Sequence, residues 1–138
     1  MIDIYNQVFT KLYEGLKSQA QFKDLRIEDE HANAKPKTMP AVTVAETRYD
    51  NVRTLNDNSG RERYVRLRYR VRIYSNKQNG RKAEARAIFD VADRIMWNMG
   101  FRRLAFTSTP ELYESTTYGI SAEYGTVADE TGMLYRNQ

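Results

Sequence analysis

The chain has 138 residues, with 22 Lys+Arg against 18 Asp+Glu, a formal net charge of +4 and no cysteine. That length suits a single domain, residues 1–138, around one core; without cysteine there is no disulfide framework, thiolate metal site or cysteine nucleophile. The opening MIDIYNQVFTKLYEGLKS carries charges at Asp3, Lys11, Glu14 and Lys17, so it reads as neither a secretory signal nor a membrane span, and no membrane contact is expected.

In chain order, Tyr5, Val8, Phe9, Leu12 and Leu16 recur at three- and four-residue intervals, which predicts a helix from Ile4 to Lys17. Leu25 and Ile27 suit a short strand, followed by a polar loop with Pro36 and Pro40. AVTVAETRY is rich in β-branched residues and reads as a strand. The run Asn56-Asp57-Asn58-Ser59-Gly60 is a turn signal, so it caps a long hairpin whose return strand is RYVRLRYRVRIYS. In RKAEARAIFDVADRIMWNM the apolar groups Ala85, Ile88, Ala92, Ile95 and Met99 predict a second helix with that seam buried and Arg86 and Asp90 outward, closed by Gly100. FRRLAFTST, TTYGISAEYGTV and MLYR read as further strands, with TPELYE as a loop and ADETG as a turn. Helices and strands do not alternate regularly, which predicts an α+β fold: a mainly antiparallel sheet with two principal helices packed on it. Ten tyrosines favour half-wet surfaces such as subunit contacts.

The inventory argues against an enzyme. His31 is the only histidine; it follows Glu28, Asp29 and Glu30, but neighbours on an extended chain face opposite ways and the run lacks the glycine turn of a calcium loop, so a solvated acidic loop is expected. Lys82 has no phosphate-binding glycine framework before it. Glu111 and Glu114 flank a loop without apolar enclosure, and no base stands ready for a Ser or Thr nucleophile. No metal or cofactor is expected.

The strongest signal is Arg66, Arg68, Arg70 and Arg72 at every second position, with Val65, Leu67, Tyr69, Val71 and Ile73 between them. On a strand this puts four cations on one face and the apolar set on the other. If AVTVAETR is the hairpin partner, Ala41, Thr43, Ala45 and Thr47 share the arginine side, and none neutralises a guanidinium. Glu123 is the one acid a later strand can place beside them, so compensation is expected from water, another subunit's carboxylates or phosphate. Tyr64 and Tyr74 stand only at the two ends, too few aromatics for reading bases by stacking.

The whole order resembles the tail terminator (tail completion, head–tail joining) proteins of long-tailed bacteriophages: IYNQVFTKLYEGL, MPAVTVAE, the polar hairpin, ARAIFDVADRIMWNMGFRR and the tail YESTTYGISAEYGTVADETGMLYRN. The resemblance implies a virion protein, made in the bacterial cytoplasm, that forms a ring, typically a hexamer, on the head-proximal end of the tail tube. There it would stop polymerisation and present a surface to the head's neck proteins. On that reading Arg66, Arg68, Arg70 and Arg72 serve a subunit interface or border a channel in transient contact with passing double-stranded DNA. The hairpin residues Arg53, Asn56, Asp57, Asn58 and Arg61 dock on the tube, and Glu28, Asp29, Glu30, Glu111 and Glu114 supply the acidic side of the interface. The alternative is a small basic nucleic-acid-binding module using the same sheet.

Overall fold

The computed structural model describes residues 2–30, 39–52, 64–109 and 117–136. Helix α1 (Tyr5–Lys17) is followed by strands β1 (Arg26–Asp29), β2 (Ala41–Asn51) and β3 (Tyr64–Ser75), helix α2 (Arg81–Met99), and strands β4 (Arg102–Thr109), β5 (Tyr118–Asp129) and β6 (Leu134–Tyr135). The sheet runs β1-β2-β3-β5-β4, with β6 also paired to β5. Only β1–β2 is parallel; the other pairings are antiparallel. The fold is α+β, and the long β2–β3 hairpin is present. The turn residues Arg53, Asn56, Asp57, Asn58 and Arg61 lie outside the described residues, as do His31, Glu111 and Glu114.

The strand period decides what is buried. Val65, Leu67, Tyr69, Val71 and Ile73 of β3 are buried with Val42 and Val44 of β2 and Ile120, Ala122 and Tyr124 of β5. Both helices cover this face through Val8, Leu12 and Leu16 of α1 and Ala85, Ile88, Phe89, Ala92 and Met96 of α2. Each fully buried Leu, Ile or Val contributes about 1.5–3 kcal/mol.

The expected seam of α2 is rotated. Ala85, Ile88 and Ala92 are buried as the period requires, but Phe89 and Met96 complete the sheet-facing stripe, whereas Ile95 and Met99 are half-buried. The reason is that α2 packs on two neighbours: Ile95 turns toward α1, where its Cδ1 would lie 2.5 Å from a Cβ added at Gly15. Arg86 and Asp90 face outward as expected.

Helix α2 ends at Gly100, whose φ of 115° is open to glycine. The Gly100 N–H donates to Trp97 O at 3.1 Å and the Phe101 N–H to Met96 O at 3.0 Å, the paired bonds of a Schellman ending. Arg136 closes the same end from beyond β6: its guanidinium lies 3.7 Å from the Trp97 ring centroid and donates to the carbonyls of Trp97 and Phe101.

The β5–β6 turn is organised by one carboxylate. Asp129 Oδ1 accepts from the Thr131 hydroxyl at 2.6 Å, the Thr131 N–H at 2.9 Å and the Met133 N–H at 3.1 Å, while Oδ2 accepts from the Tyr135 hydroxyl at 2.7 Å. The Thr131 hydroxyl, followed by the Tyr135 hydroxyl and the two backbone amides, holds the carboxyl down at about 2, against an ordinary 3.8. Because the folded value is depressed, the turn's stabilisation is complete above the unfolded value and is lost as pH falls toward the folded one. Carbon-detected NMR titration should show the Asp129 carboxyl still ionised at pH values where exposed aspartates are protonated; an ordinary midpoint would refute the network.

Candidate functional site

The β2 and β5 registers lay out the face opposite the helices row by row. Arg72 stands between Thr43 and Ser121, Arg70 between Ala45 and Glu123, Arg68 between Arg48 and Gly125, and Arg66 between Asp50 and Val127. Ala41, Thr43 and Ala45 are on the arginine side as expected. Thr47 is not in the position expected for it, because the register shifts between Glu46 and Arg48 and sets Arg48 opposite Arg68. A bulge inserts one residue and exchanges the faces beyond it; here it exchanges a threonine for a fifth cation. A second shift, between Arg103 and Ala105, accompanies Arg102 opposite Gly125, so Arg48, Arg68, Gly125 and Arg102 form one row.

The Arg70 and Arg72 end is neutralised inside the chain, which corrects the expectation that the ladder takes its charge from outside. The Glu30 N–H donates to Val44 O at 2.9 Å, carrying the parallel β1–β2 ladder one residue further and bringing the Glu30 side chain onto the arginine face. Only 7% of that side chain is exposed; it pairs with Arg70, whose second contact is 3.3 Å, and with Arg72 at 3.3 Å, both arginine side chains being about 30% exposed. Hydrogen bonding to Glu30 drives the Arg70 pKa up against the opposing effect of burial, and Glu123 adds to the rise.

The acids of β1 expected at an interface are each engaged within the chain. Glu30 is consumed by the ladder, Asp29 faces the helices and accepts from the Tyr5 hydroxyl, and Glu28 is 3.4 Å from Arg26. The run is a strand followed by a buried carboxylate, and the solvated loop expected there is replaced by alternation across a sheet. No group of acids and histidines that could hold a metal occurs among the described residues.

At the other end of the ladder the described carboxylates leave most of the charge unpaired. Among the described residues, Arg66, Arg68 and Arg102 have no carboxylate partner, while Arg48 has Asp50 at 2.6 Å in an exposed pair. These four arginines and Arg136 rim a groove of about 170 Å³, with Leu104, Gly125 and Val127 in its floor. Gly125 is needed there, since a Cβ would meet Leu104 Cδ1 at 2.8 Å. Arg48, Arg102 and Arg136 were missed in the sequence because bulges and a chain end, rather than strand alternation, bring them to the ladder.

Three of the described tyrosines are spent on internal carboxylates. Tyr69 donates to Glu46 at 2.7 Å, Tyr124 to Asp93 at 2.8 Å and Tyr5 to Asp29. Burial, followed by these bonds to carboxylates, raises all three phenol pKa values well above the ordinary range. No protein-family model matches the chain, and no curated protein matches it.

Proposed function

We propose that the chain is a structural subunit of a phage tail that assembles as a ring, caps the head-proximal end of the tail tube, stops its polymerisation and offers the head–tail joining surface. The observation that carries this reading is the open edge formed by β4. From Arg102 to Ser108 every residue of this strand is exposed, including Leu104 at 44% and Phe106 at 39%. Leu104 leans over Gly125 on the arginine face, whereas Phe106 meets Phe89 of α2 edge-on at 5.0 Å on the other. Trp97, 53% exposed, adds apolar surface at the end of α2.

Among the described residues no strand pairs with the outer side of β4, and an edge strand with apolar side chains on both faces is a template for pairing with another chain. A ring built by rotation uses heterologous contacts, so the edge of one copy meets a different surface on the next. The order of elements in the tail-terminator resemblance adds to this reading.

Light scattering should give a mass several times that of one chain. Exchanging Leu104 and Phe106 together for Asp should return it to one chain without loss of the circular dichroism spectrum. In tail assembly, the same variant should leave tubes of uncontrolled length. A wild-type protein that stays monomeric at high concentration, or an Asp variant that assembles normally, would reject the β4 contact.

A further inference from the structure

We propose that the groove between Arg48, Arg66, Arg68 and Arg102 binds the phosphodiester backbone of duplex nucleic acid without reading its sequence. Charge is the first ground. The ladder is divided: Arg70 and Arg72 are engaged by buried Glu30, and among the described residues Arg66, Arg68 and Arg102 meet no carboxylate. Asp50, the one acid among the described residues paired with this rim, is committed to Arg48, and Asp129, at the end of β5 on the same face, spends both oxygens on Thr131, Met133 and Tyr135. Like charges this close repel unless an anion intervenes.

The choice of anion follows from what the chain itself offers. Among the described residues a second copy presents few acids to such a site, because Glu28, Asp29, Glu30, Glu46, Glu84 and Asp93 all have internal partners. The exposed acids Glu14 and Asp90 stand apart on the two helices. A single carboxylate also leaves most of the rim charge uncompensated, whereas successive phosphates supply several negative charges to several guanidinia. The lining contains no aromatic side chain, so bases have no ring to stack on, which favours a duplex backbone over a single strand. None of this depends on ring assembly, since one chain carries the whole groove.

The test is fluorescence anisotropy of a short labelled duplex across a salt series, with the mass of each sample measured alongside. The variant Arg66→Gln/Arg68→Gln/Arg102→Gln removes three charges from the groove. Lys82→Gln/Arg86→Gln/Arg94→Gln removes three from the exposed face of α2. With about three phosphates contacted, log affinity should fall against log salt with a slope of roughly −3. The groove variant should lose most of that slope and at least about tenfold in affinity at low salt, while the α2 variant keeps both. Equal losses in the two variants would reduce the effect to net charge and overturn the site. Displacement of the duplex by an oligoglutamate peptide at matched charge would overturn it in favour of an acidic protein partner, and so would failure of the wild type to bind duplex at low salt. Should the triple variant melt early, Arg66→Gln/Arg102→Gln, at two exposed positions, carries the same comparison.

Discussion

Replacing Glu30 by Gln should destabilise the protein by about 2–4 kcal/mol, the largest effect expected from any single polar substitution on the sheet. Breaking a buried ion pair leaves the partner charge desolvated and uncompensated, which costs roughly 3–5 kcal/mol when both partners are buried. The figure is reduced here because Arg70 and Arg72 retain about 30% exposure and can recover some hydration. Glu123 faces Arg70 across β3–β5 in a half-buried position, and Glu123→Gln should cost under about 1 kcal/mol. Urea unfolding of both variants separates the two roles. In the background of Glu30→Gln, Arg70→Met should restore part of the loss, since the stranded charge is then removed. A Glu30 variant as stable as wild type would show that the pair is only a hydrated surface contact.

Ile88→Ala should cost about 2–5 kcal/mol, and Ile95→Ala about half as much. Ile88 is fully buried between α2 and the sheet, so truncation leaves a cavity that rigid strands cannot close. Ile95 is half-buried on Gly15 at the α1–α2 contact, where water and helix movement relieve the gap. Chemical denaturation midpoints give the ranking directly. If Ile95→Ala proves the more damaging, the helix is rotated toward the seam expected from its period alone.

The elements were legible because each carries one dominant period. The alternation in β3 is unbroken from Val65 to Ile73, and α2 is bounded by Gly80 and Gly100, both at positive φ. What escaped the sequence depends on neighbours. Nothing in Arg81–Met99 says that α2 packs on α1 as well as on the sheet, so Phe89 and Met96 could not be ranked above Ile95 and Met99. Alternation was extrapolated past Glu46, where the bulge substitutes Arg48 for Thr47 on the arginine face. Glu30 was misjudged for a related reason: it lies 40 residues from Arg70, and only parallel pairing of β1 with β2 brings it across. The open half of the candidate site was thus half visible, as Arg66 and Arg68, while Arg48, Arg102 and Arg136 needed the register.

The row through Arg48, Arg68, Gly125 and Arg102 also has a direction. The repeat in the sequence draws a line of charge along β3, but with two of its four members cancelled, the surviving line runs at right angles to that strand. Its two ends, on β2 and β4, are three inter-strand steps apart, about 14 Å at the usual spacing. A rod-like polyanion held by this row lies crosswise on the sheet. The neutralised half of the ladder then stays clear of it, free to approach a protein surface without the cost of desolvating bare charge.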